Sequence, residues 1–113
     1  MGARSRRKGA TWERDLAARW RDRFKIEAKR GIGQARNAAE VPDVDGLPGF
    51  WVEAKVGAMP NPRAALAQAH EACGERPLWP IAVIKDDRRS PFVVLTLDDF
   101  EDLVGEWMEA KGL

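Results

Sequence analysis

The sequence predicts an α/β fold, a central mixed sheet flanked by helices. Three observations carry that reading. Apolar residues recur at every fourth position, at Trp12, Leu16, Trp20 and Phe24, as on one face of an amphipathic helix. Two apolar, β-branched runs, "WPIAVIK" and "PFVVLTL", read as strands parted by the charged turn "DDRRS". Before them, "NPRAALAQAHEAC" is alanine-rich, with Pro62 at the first turn of a helix.

Each element follows in order. Residues 1–9 read as a flexible basic arm ahead of a single domain over 10–113. The first helix starts near Thr11, with Arg14, Arg19, Arg21 and Arg23 largely off its apolar stripe. "FKIEAKR" alternates Phe24, Ile26 and Ala28 with charged residues, the period of a strand. "GIGQARNAAE" carries two glycines and reads as a loop. "VPDVDG" and "FWVEAKV" are short strands joined by the turn-rich "GLPG". "DDFEDLVGEWMEAKGL" is a closing helix with acids at its start, where the helix dipole favours them, and with Phe100, Leu103, Val104 and Trp107 inward. The sum is helix, three strands, helix, two strands, helix.

Composition narrows the function. A chain of 113 residues, 44% hydrophobic and with five tryptophans, can bury one core. No apolar run approaches the roughly 18 residues of a membrane span, and the basic N-terminus lacks the apolar stretch of a secretory signal. The single cysteine, Cys73, excludes an internal disulfide and fits a reducing cytoplasm. Net charge is only +1, but residues 1–30 hold eleven Lys or Arg against four Asp or Glu, and the remainder eight against fourteen. That asymmetry points to a polyanion met on one face, or to a solvated arm with no fixed partner.

The chemistry concentrates in "VPDVDGLPGFWVEAKVG", residues 41–57. Side chains two apart on a strand share a face, so Asp43 goes with Asp45, and Trp51 with Glu53 and Lys55. If "GLPG" closes an antiparallel hairpin, Asp43 falls roughly opposite Glu53, with Cβ atoms about 5 Å apart. Two carboxylates that close repel unless one is protonated or a cation lies between them. Oxygen donors suit a hard cation such as magnesium, which takes one or two carboxylates plus waters. A hairpin with one wet face would also gather these charges. Trp51 is then either a wall of this site or the mark of a bulge.

Pro42-Asp43, nine residues, then Glu53-Ala54-Lys55 resembles the PD-(D/E)xK nuclease motif. "RKGATWERDLAARW", residues 7–20, is similar to the first helix of the archaeal-type Holliday junction resolvases, with Glu13 at that family's helix glutamate. The resemblance is strongest over residues 7–56. It implies a restriction-endonuclease-like core with a five-stranded sheet, and a structure-selective endonuclease that resolves four-way junctions by paired nicks through phosphodiester hydrolysis. It implies that Asp43 and Glu53 bind magnesium, for which manganese can substitute. Glu13 approaches directly or through water, and Lys55 orients the attacking water or stabilises the phosphate. Cutting two opposed strands of a junction calls for a C2 homodimer, with the last strands and final helix as its surface.

The chain departs from that family in having no Ser or Thr in "GIGQARNAAE", where Gln34 or Asn37 stands in. Its shorter Asp-to-Glu spacing admits Asp45 as a further ligand. Gln68, on the second helix, is a further polar candidate beside the metals. Arg4, Arg6, Arg7, Lys8, Lys29, Arg30 and Arg36 are candidates for phosphate contacts, which position DNA without reading its sequence. Gly31 and Gly33 would let their loop follow a DNA backbone. Other readings are a nuclease of the same superfamily acting on duplex, flap or single-stranded DNA, a non-catalytic DNA-binding module, and a basic-armed protein-interaction domain.

Overall fold

The computed structural model describes residues 2–32 and 40–113. Helix α1 (Ala3–Phe24) is followed by strands β1 (Lys29–Arg30), β2 (Val44–Asp45) and β3 (Phe50–Gly57). Helix α2 (Pro62–Cys73), strands β4 (Trp79–Asp86) and β5 (Phe92–Val94), and helix α3 (Leu97–Lys111) complete the chain. The five strands form one sheet in sequence order. β1–β2, β2–β3 and β4–β5 pair antiparallel, and β3–β4 pair parallel. Parallel neighbours need a crossover, and α2 supplies it. The sheet is therefore mixed, as expected.

Alternation along β3 sorts the core into two layers. Val52 and Ala54 pack with Ile81 and Val83 beneath Trp12, Leu16, Ala17 and Trp20 of α1. Trp51 packs on the other face with Ala69 and Cys73 of α2, and Ala65 meets Ala82 and Ile84 there. Alanines on α2 bring that helix close to the sheet. Asn61 caps it, accepting from the Ala64 N–H at 3.1 Å. β3 is paired without a break along β4, so Trp51 marks no bulge.

Four expectations need correction. Residues 3–9 are helical and not an arm. Arg and Lys are good helix formers, and Lys8 is anchored to Asp87 of the β4–β5 turn at 2.9 Å. The first strand is only Lys29–Arg30, because α1 runs to Phe24 and closes at Lys25 in the left-handed conformation, φ 55°. Phe24 is thereby carried past the sheet and is exposed. The last strand stops at Val94, since Thr96 turns to cap α3, its Oγ1 accepting from the Asp99 N–H at 3.1 Å.

The fourth correction concerns α3. None of its residues is fully buried, and Phe100 and Trp107 are 49% and 55% exposed. The periodicity of its apolar stripe is helical, and Leu103 and Val104 are half-buried, but Phe100 and Trp107 are not covered by the described residues. Its N-terminal turn is tied to α2 through His70 Nε2, 3.8 Å from Asp99 Oδ2. Among the described residues, no helix is long and apolar enough to cross a membrane.

Candidate active site

The β2–β3 register pairs Val44 with Val52. One step outward, that register sets Asp43 across from Glu53, on the face that parity assigned them. The Asp43 backbone is held from both sides. Its N–H donates to the Val52 carbonyl at 2.8 Å, and its carbonyl accepts from the Gly31 N–H at 2.8 Å. Its side chain replaces a missing ladder partner, Oδ2 accepting from the Ala54 N–H at 2.9 Å. The carboxylate is thus fixed by the strand it faces.

Glu53 is only 5% exposed, and it is the one buried charged residue among those described. Burial, the Asp43 charge and a hydrogen bond with Asp43 push its pKa up to about 8, against the pull of Lys55 and the Trp51 indole. Glu53 therefore keeps its proton at neutral pH, hydrogen-bonded to Asp43. Burial also raises the Glu13 carboxyl, opposed by a 2.7 Å bond from Arg30 Nε. Glu13 sits at the border of the α1 core stripe, close enough to Asp43 and Lys55 for their charges to act on it.

A raised carboxyl costs the folded state once the unfolded chain has ionised. Below pH 4.5, the ordinary value for Glu53, both states hold the proton. Between that value and about 8 the unfolded chain has lost it and the folded chain has not, so stability falls as pH rises. The melting temperature in chelator is expected to decline from pH 5 to pH 8, and Mg2+ to raise it more at pH 8 than at pH 6. A flat profile in thermal melts would show that the fold does not raise Glu53.

The remaining candidates are dispersed. Asp45 is exposed and sits directly opposite Lys29, an opposite-charge cross-strand pair. Gln68 lies on the exposed side of α2. Arg4, Arg6 and Arg7 are exposed on the first turns of α1, and Lys29 is exposed on β1. Lys8 pairs with Asp87 and Arg30 with Glu13, each side chain still partly exposed. Arg36, Gln34, Asn37 and Gly33 lie outside the described residues. Gly31 lies close against the backbone of the segment that carries Asp43. A Cβ there would stand 1.7 Å from the Pro42 carbonyl oxygen, so Gly31 is pressed against the residue before Asp43. Sequence reasoning did not find this packing role. A glycine directly after a strand and eleven residues before Pro42 was the visible signal.

Among the described residues, no group of three or more His, Cys, Asp or Glu side chains gathers as a metal site. The donor set is the pair Asp43 and Glu53, with Lys55 beside it. Two carboxylates suffice for magnesium, which otherwise keeps its waters, so the pair fits such a cation. A bound cation would also favour the ionised form of Glu53, which burial and then the Asp43 charge disfavour.

No family model and no curated protein matches the chain. Among solved structures, the chain is similar to Archaeoglobus fulgidus Hjc, a Holliday junction resolvase from an archaeal hyperthermophile. The TM-score is 0.54 at 17% sequence identity, over 75% of this chain and 74% of that chain. That likeness establishes the fold: a mixed five-stranded sheet flanked by three helices, consistent with a restriction-endonuclease-like core.

Proposed function

We propose that this chain is a magnesium-dependent DNA endonuclease of the PD-(D/E)xK type, cutting four-way junctions by paired phosphodiester hydrolysis. The observation that carries the reading is the Asp43–Glu53 carboxyl pair beside Lys55, Glu53 buried and Asp43 half-buried, on a fold similar to a junction resolvase. Asp43 and Glu53 hold Mg2+, or Mn2+ in its place. The cation, when bound, assists a water nucleophile and counters charge on the phosphoryl group. Lys55 orients that water or neutralises the developing anion. Glu13, kept in place by Arg30, completes the acidic wall toward α1.

Exposed Arg4, Arg6, Arg7 and Lys29 take phosphates of the DNA arms, without base contacts. The homodimer needed for paired nicks finds an apolar surface in Phe92, Val93, Phe100 and Trp107, all exposed in the single chain.

The test is an end-labelled four-way junction and a linear duplex of matched sequence, each with and without Mg2+. Paired nicks in the junction alone, and only with Mg2+, are expected. Equal cutting of the duplex would keep the chemistry and remove the junction. Salt-sensitive binding without cutting would favour a non-catalytic DNA-binding module.

A further inference from the structure

Trp51 carries an unexplained donor. The side chain is 2% exposed, yet Nε1 has no acceptor in hydrogen-bonding geometry among the described residues. Buried indole N–H groups usually find a partner, and leaving one without is costly. The ring has little freedom to turn toward one. It lies on Ala69 and Cys73 of α2, and the Arg76 guanidinium covers it at 4.5 Å from the ring centroid. Arg76 is itself pinned, donating from Nη1 to the carbonyls of Ala72 and Cys73 at 2.8 and 2.9 Å. The C-terminal end of α2 therefore fixes Arg76, and Arg76 fixes the indole.

Trp51 also lies two residues before Glu53 on unbroken β3, on the same face of the sheet. Its indole is near enough to favour the ionised Glu53 carboxylate, although Nε1 meets no acceptor in hydrogen-bonding geometry among the described residues. A carboxylate that gives one oxygen to a cation needs a donor for the other, and such outer donors set ligand orientation. Bonds to an ionised acceptor are also the stronger ones.

We propose that Trp51 is a positioning residue for Glu53, its indole N–H being the donor reserved for that carboxylate in the cation-holding state. Arg76 is the clamp that keeps the indole aimed. The proposal rests on the reading of Asp43 and Glu53 as metal ligands.

Trp51→Phe keeps an aromatic ring under Arg76 and deletes the donor. Calorimetric titration of the full chain with Mn2+ alone is expected to show binding weakened roughly tenfold, the worth of one charge-assisted hydrogen bond. A second measurement needs no variant. In the wild-type chain, saturating Mg2+ should move the Trp51 indole proton resonance downfield and slow its exchange with water. A role in packing alone would move neither. Unchanged Mn2+ affinity in Trp51→Phe, or an unmoved indole resonance while wild type binds the cation, would overturn this proposal alone. No cation binding by the wild-type chain would overturn the metal site and the proposal with it.

Discussion

Asp43→Asn is expected to abolish Mg2+-dependent cutting while making the cation-free protein more stable at alkaline pH. Partners one shell removed from a metal contribute about 10–100-fold, so loss of a direct ligand should exceed roughly a hundredfold. The opposite sign on stability comes from Glu53. Burial and then the Asp43 charge raise its pKa to about 8. Asparagine removes that charge and offers an N–H₂ donor to the Glu53 carboxylate. Its carbonyl oxygen can still accept from the Ala54 N–H, so the β2–β3 end stays joined. Asp43→Ala separates the two effects, because it leaves the Ala54 N–H without its acceptor, a loss of about 1–3 kcal/mol. Junction cutting and melts in chelator at pH 8 read both quantities. An Asp43→Asn protein that still cuts would remove Asp43 from the site.

This apposition was legible in the sequence because it is local. Period-two alternation and a short turn rich in Gly and Pro place Asp43 across from Glu53, and the Val44–Val52 register agrees. The central strands were legible for a similar reason: buried β-branched runs bounded by turns leave few alternatives.

What escaped depends on contacts between distant residues. Residues 3–9 have a composition that suits either arm or helix, and the Lys8–Asp87 pair spans the chain. Arg30 reads as a phosphate contact in the sequence, which does not reveal that β1 lies beside α1 and that Arg30 pairs with Glu13 there. The α3 stripe shows the converse limit. Periodicity reveals that Phe100, Val104 and Trp107 share a side, but not what that side meets. Among the described residues Phe100 and Trp107 stay exposed while Val104 is half-buried. A surface designed against a second copy has the same local pattern as one designed against a core.

Gly31 belongs to the non-local class and makes the sharper structural test. A Cβ at this position would lie 1.7 Å from the Pro42 oxygen and 2.9 Å from its carbonyl carbon. Both atoms are backbone, so no side chain can swing aside. Relief requires β1 and the Pro42–Asp43 segment to part, which stretches the bond from the Gly31 N–H to the Asp43 carbonyl. Gly31→Ala is therefore expected to destabilise the fold by about 2 kcal/mol, a fall in Tm of roughly 10 °C for a domain of this size. Because Asp43 moves with its backbone, Mg2+ affinity should drop even at temperatures where the variant is fully folded. Gly9→Ala supplies the contrast. Gly9 is inside α1, and a Cβ there meets nothing within 4 Å. That change should stabilise the protein by about 0.5–1 kcal/mol through helix propensity alone. The two alanines thus act in opposite directions for one added methyl group. If Gly31→Ala melts and binds Mg2+ like the parent chain, the glycine is not what holds Asp43 in front of Glu53, and the positioning of the site must come from the β2–β3 pairing alone.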